Sequence, residues 1–154
     1  MGQQQLVLLV LATTIVGLAI TTGIRAFGVN SARANADAMI QDALRIAMDA
    51  QAWKQKPQLL GGQGPKHAAD PDKFKGATLA ALGYPGVDDT YVNQNGRFSI
   101  KVTGNRLLVV GTNAMFDSQV EVVTCGLTDT DIVGEIVVLA GEKVGMTPGC
   151  PTNS

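Results

Sequence analysis

From Leu6 to Ile24 the chain runs nineteen residues without a charge, and the first charged side chain anywhere is Arg25. At about 1.5 Å per residue such a stretch makes a helix of roughly 28 Å, close to the roughly 30 Å hydrocarbon core of a bilayer. The pattern then changes without stopping. Between Ala32 and Trp53, small and apolar residues recur at Ala36, Ile40, Ala43, Ala47 and Ala50, with Met39, Leu44 and Ile46 beside them. Steps of three and four mark one face of a helix. Asp37, Gln41, Arg45 and Asp49, each four apart, form the opposite face, where Arg45 is placed to pair with Asp49. Alanine richness favours helix, and Pro57 biases its predecessor away from helical dihedrals. The pattern predicts one helix over residues 1–53. Residues 1–25 form a half that is apolar all round, and residues 26–53 an amphipathic half.

After Trp53 the helical period is lost. Residues 54–90 are rich in Gly, Pro and Lys, with turn signals at Gly61-Gly62-Gln63-Gly64-Pro65, Asp70-Pro71-Asp72 and Gly83-Tyr84-Pro85-Gly86. At most a short helix is expected near Thr78–Leu82, and the loop is expected to face solvent. Over residues 91–154 strand signals take over. Asn95-Gly96 is a strong hairpin dipeptide between Tyr91-Val92 and Phe98–Val102. Thr103-Gly104-Asn105 turns the chain into Leu107–Val110, and Val120–Cys125 and Ile132–Leu139 read as two further strands. An antiparallel meander of this kind needs a cover for its apolar face, and the amphipathic half of the helix supplies one. The expected fold class is α+β, a ladle with a long helical handle and a sheet laid across its upper half.

Several uses of the apolar segment compete. A cleaved secretory signal opens with a basic region and has a shorter apolar core. Here the start is Met1-Gly2-Gln3-Gln4-Gln5 and the apolar stretch is longer. A helix hidden in a soluble core fits poorly, because a small domain rarely buries an all-round apolar helix of this length. A plain single-span anchor fits the length. So does a helix that sits in a membrane first and later packs against copies of itself. Gly17, Gly23 and Gly28, with Thr13-Thr14 and Thr21-Thr22, suit close helix packing. They also make Thr21–Gly28 a place where the helix could stretch.

An apolar amino-terminal helix continued by an amphipathic half, then a small domain closed by two late cysteines, resembles a type IV pilin or a pseudopilin of a secretion system. Gln5–Leu11 and Ile15–Ile20 carry the resemblance at the amino end, Cys125 and Cys150 at the other. It implies a structural, non-enzymatic subunit of a helical surface filament, held in the inner membrane until assembly machinery extracts it. It also implies adhesion, motility or DNA-uptake roles for the filament. The residues expected to carry self-assembly are Met1, Gln5, Leu6, Leu9, Leu11, Ile15, Leu18 and Ile20. In such proteins a peptidase removes a short leader and the new amine is methylated; Met1 is then either that mature residue or the initiator. One departure matters chemically. The family usually has a glutamate where this chain has Gln5, and a neutral amide is a weaker acceptor for an ammonium than a carboxylate. The family's helix-breaking proline is also missing near Thr21-Thr22.

Composition changes this picture little. Charged residues make up 16%, the formal net charge is −1, and no basic patch with interleaved aromatics suggests nucleic acid. The two cysteines read as one bridge in an oxidising compartment, with two buried thiols as the alternative. The single histidine, His67, sits in a loop with no partner at metal or triad spacing. Asp129 and Asp131 could contribute oxygens to Ca²⁺, which takes six to eight, but a solvated turn is the plainer reading. The glycine-rich run at Gly61–Gly64 lacks the Lys-Ser/Thr of a phosphate loop. No cofactor, metal or catalytic group is expected. Seven aromatic residues, with only Phe27 in the first fifty, leave no continuous aromatic path along the helix.

Overall fold

The computed structural model describes residues 2–64 and 74–150, without the side chain of Asp129. A single helix, α1 (Gly2–Gln55), runs without a break through Thr21–Gly28 and for about 80 Å in all. It extends two residues beyond Trp53, with the Lys56 amide still bonded to the Ala52 carbonyl (3.0 Å) before Pro57 stops the ladder. The lower half stands alone. The upper half buries Ala32, Ala36, Met39, Ala43, Ile46, Ala47 and Ala50, the stripe expected from the three-four spacing, with Ile40 and Leu44 partly buried at its margin.

A six-stranded antiparallel sheet in the order β1 to β6 covers that stripe. The strands are β1 (Thr90–Val92), β2 (Arg97–Thr103), β3 (Arg106–Asn113), β4 (Ser118–Thr124), β5 (Ile132–Leu139) and β6 (Glu142–Lys143). The α+β ladle is therefore the fold, and the five longer strands fall where alternation placed them. β6 is a two-residue strand, too short to show a period. Phe98, Leu107, Val109, Val120, Val122 and Leu139 fill the core against the helix. β4 is buried on both faces, since Glu121 and Val123 on its outer side are also covered. The reason lies at the end of the described chain. The Val144 and Gly145 amides bond to the Val137 carbonyl, and Cys150 is joined to Cys125 at the end of β4, with Cα atoms 5.7 Å apart. The tail is thereby drawn from the β5 edge back across the sheet.

Three local expectations need correction, and at Thr78–Leu82, where at most a short helix is expected, the chain forms less than one. Asn95-Gly96 does not make the two-residue turn with positive φ, for neither residue has one. The loop is four residues long, and the Asn93 carboxamide oxygen accepts from the Asn95 and Gly96 amides at 2.9 and 3.0 Å. Glycine is needed there for proximity: a Cβ on Gly96 would lie 2.7 Å from the Thr112 carbonyl and 2.8 Å from the Met39 sulfur. Thr78–Leu82 is a single turn rather than a helix, closed by the Leu82 amide on Thr78 (3.1 Å) and ended by Gly83 at φ 87°. The segment expected to face solvent instead donates Phe74, Ala77 and Leu79 to the core. Finally, Asp49 serves the sheet side rather than a stripe of helical ion pairs, because it accepts a hydrogen bond from the Tyr84 hydroxyl. Tyr84 in turn stacks edge-on against Tyr91, with ring centroids 5.0 Å apart.

Candidate functional site

The uncovered half of α1 is the feature most in need of a function. Its eleven large apolar side chains between Leu6 and Ile24 are each 52–69% exposed, and the most apolar window of the helix has no buried share at all. Leu6, Leu9, Leu11, Ile15, Leu18 and Ile20 all lie here exposed, with nothing from another element against them among the described residues, and Gln5 is exposed on the same helix. Met1 lies outside the described residues. Fully burying a large aliphatic side chain is worth about 1.5–3 kcal/mol. Eleven chains that are more than half exposed therefore forfeit on the order of 10–20 kcal/mol in water, as much as the total stability of a typical domain. This helix requires an apolar surrounding.

The threonine hydroxyls on this half are already satisfied internally. The Thr13 hydroxyl donates to the Val10 carbonyl at 2.9 Å, Thr14 to Leu11 at 2.8 Å, and Thr21 to Leu18 at 2.9 Å. Thr22 shares its hydroxyl between Leu18 and Ala19. A hydroxyl bonded back one turn brings no unsatisfied donor into hydrocarbon, so these threonines narrow the helix without spoiling it for lipid or for a neighbouring helix. The helix is long and apolar enough to cross a membrane, by length and composition.

The head holds α1 at both ends of the covered stripe through polar contacts. At the lower end, Asn35 Nδ2 donates to the Asn95 carbonyl (3.1 Å), which also accepts from Asn113 Nδ2 (2.6 Å). Two turns up, Asp42 Oδ2 accepts from Asn93 Nδ2 and Asn95 Nδ2 at 2.8 and 2.7 Å. At the upper end, the buried Gln51 carboxamide donates toward Thr124 Oγ1, the Gly126 carbonyl and the Thr128 carbonyl at 3.2, 3.0 and 2.9 Å. Lys54 is fully buried one turn on, with Nζ 3.2 Å from Gln63 Oε1. Gln51 and Lys54 stand outside the buried face expected from the sequence. Both continue the same three-four stripe past Ala47 and Ala50, and that continuation was the available signal.

The remaining candidates divide. Cys125 and Cys150 form the bridge. His67 lies outside the described residues. The carboxylate of Asp131 accepts from the Thr128 amide (3.1 Å) and hydroxyl (2.6 Å), tightening the β4–β5 loop from within. Among the described residues, no group of three His, Cys, Asp or Glu side chains is placed to hold a metal. On the outer face Glu121 stands directly opposite Glu135, and Gln119 Nε2 donates to Glu121 Oε1 at 2.7 Å, which offsets part of that like-charge pairing.

No family model, no curated protein and no solved structure matches this chain.

Proposed function

We propose that the chain is a structural subunit of a helical, type IV pilus-like surface filament, polymerising through α1 after a stage in the membrane. One observation carries this reading: nineteen residues of uncovered apolar helix, rigidly continuous with a helix half that the head already clamps. A membrane satisfies the uncovered half in a lone subunit, and a bundle of like helices satisfies it in a polymer. Because lipid is about as apolar as leucine, the bundle gains by close packing, for which Gly17, Gly28 and the back-bonded threonines leave room. Head-to-tail contacts that do not close on themselves generate an open helical polymer. With its disulfide-tied tail, the head would line the outer surface, where adhesion, motility or DNA uptake is served.

Electron microscopy of material sheared from producing cells, with mass spectrometry of the chain, tests the proposal. Long thin filaments composed of this chain are the expected result, and a modified amine at its first residue would add the processing step. A chain found only in the membrane fraction, with no filament, would leave an anchored domain or a short secretion-system stub in its place.

A further inference from the structure

The unbroken helix fixes the height of the head above the apolar segment. Ala32 is the lowest residue of α1 that the head buries; Ile24 closes the apolar segment, and Asn35 makes the head's lowest hydrogen bond to α1 among the described residues. Eleven residues separate them, roughly 16 Å at helical rise. The β3–β4 turn, 114–117, points toward the apolar end. Asn113 lies level with Asn35 through their shared bonds to Asn95, whereas Thr124 at the far end of β4 lies level with Gln51. At strand rise the turn descends about 3–7 Å below Asn113. Its tip, Met115, is 85% exposed and lines a groove with Val92, Gly96, Arg97, Thr112 and Phe116.

The space beneath this overhang has a distinct chemistry. Arg25 is eighteen residues, five full turns, below Ala43, so it projects on the face that the sheet covers higher up. Arg33 and Arg97 are exposed at the base, and Phe27 is 75% exposed just above the apolar segment. Among the described residues three acidic side chains lie nearby, of which Asp42 is taken up by the Asn93 and Asn95 carboxamides. Asp37 is exposed one turn above Arg33, and Asp117 sits against Gly141 toward β6. Cationic groups at the apolar boundary, an aromatic ring among them and an apolar tip overhead match a phospholipid headgroup layer. The headgroup region of one leaflet is about 5–7 Å thick. A helix tilt of about 20°, ordinary for a single span, lowers a sheet packed about 10 Å off the axis by roughly 3 Å. The tip of Met115 then meets the headgroups.

We infer that the base of the head is a lipid-docking surface, with Arg25, Arg33 and Arg97 contacting lipid phosphates and Met115 resting among the headgroups of the unassembled subunit. This rests on the reading of α1 as membrane-inserted. The docking orients the head before extraction, and assembly must release it.

The test uses the full chain, its Cys125–Cys150 bridge formed, in vesicles of phosphatidylcholine and phosphatidylglycerol. Nitroxide labels are placed singly through Leu18→Cys, Met115→Cys and Leu59→Cys, with Val92→Cys as a second reporter in the groove. Collision rates with oxygen and with a water-soluble nickel chelate are read for each. The label at position 18 should be in lipid, that at 59 in water, and those at 115 and 92 shielded from the chelate at the headgroup level. Replacing Arg25 and Arg33 together by glutamine should weaken docking about thirtyfold on the anionic vesicles, exposing position 115. A position-115 label as open to the chelate as position 59, while position 18 is in lipid, overturns the docking surface and leaves the insertion standing. A position-18 label open to the chelate overturns both. An arginine variant that keeps position 115 shielded overturns the phosphate contacts.

Discussion

Replacing Gln51 by leucine should loosen the upper end of the head more than any surface change of similar size. The carboxamide has two protons and faces three oxygens, those of Thr124, Gly126 and Thr128, at 2.9–3.2 Å. It therefore supplies about two full hydrogen bonds, one of them shared. Each is worth about 0.5–1.5 kcal/mol net, and an acceptor left buried and unpaired costs about 1–3 kcal/mol. Leucine fills the space but offers no donor. Thr124 can compensate only weakly, its hydroxyl being 3.4 Å from the Gly126 carbonyl. The expected loss is about 2–4 kcal/mol, short of global unfolding because the loop keeps the Cys125 amide on the Asp131 carbonyl (3.1 Å) and the disulfide. Trp53, the only tryptophan, stands half-buried beside this end of the helix. Urea unfolding of the full chain in mild detergent, followed by its fluorescence, reports on the head rather than on the detergent-covered helix. Gln51→Glu sharpens the test. A carboxylate would face two carbonyl oxygens that can only accept, so burial and those oxygens raise its proton affinity. Its stability is then present below the ordinary carboxyl range and is lost as pH rises through the raised value. Gln51→Glu should thus be less stable than Gln51→Leu at pH 7 and recover on acidification, while Gln55→Leu at an exposed position stays within about 0.5 kcal/mol of the parent. A Gln51→Leu protein within that same margin would refute the clamp.

Three further outcomes are expected. Removing the bridge with Cys125→Ser and Cys150→Ser should lower head stability by about 3.5 kcal/mol on loop-closure grounds, read from chemical denaturation with and without reductant. Burial, and then the hydrogen bond to Asp49, raise the Tyr84 hydroxyl above its usual ionisation near 10. Its contribution is complete below that value and declines as pH rises beyond it. The native head should lose stability above pH 10 more steeply than Tyr84→Phe, and parallel alkaline unfolding curves would contradict this. Ile15→Asp places a carboxylate in the middle of the uncovered span, at a cost of about 2.5–3.5 kcal/mol for insertion. Membrane association and filament yield should both fall while Trp53 fluorescence remains native, and a variant that still forms filaments would argue against α1 as their core.

The sequence alone determined the division of labour along the chain. Absence of charge from Leu6 to Ile24 makes that half of α1 insoluble in water whatever follows it. The three-four spacing from Ala32 to Ala50 dictates a helix covered on one side. Alternation marked five of the six strands and the meander that links them, since a period of two or 3.6 is a local property of the chain. Tertiary structure decided what no local period encodes. Whether Gly96 serves a positive φ or a close approach depends on Thr112 and Met39, which arrive from other elements. Phe74, Ala77 and Leu79 lie in a segment with loop composition, yet the sheet and helix leave space that only these side chains fill. Gln51 and Lys54 look like polar residues at a solvated helix end. Gln51 is buried because the β4–β5 loop folds over α1 and offers it oxygens, and Lys54 because the loop after α1 brings the Gln63 carboxamide oxygen back to it. Asp49 could have paired along the helix; Tyr84, thirty-five residues away, reached it instead. A polar side chain follows its partner, and only the assembled fold says which partner is near.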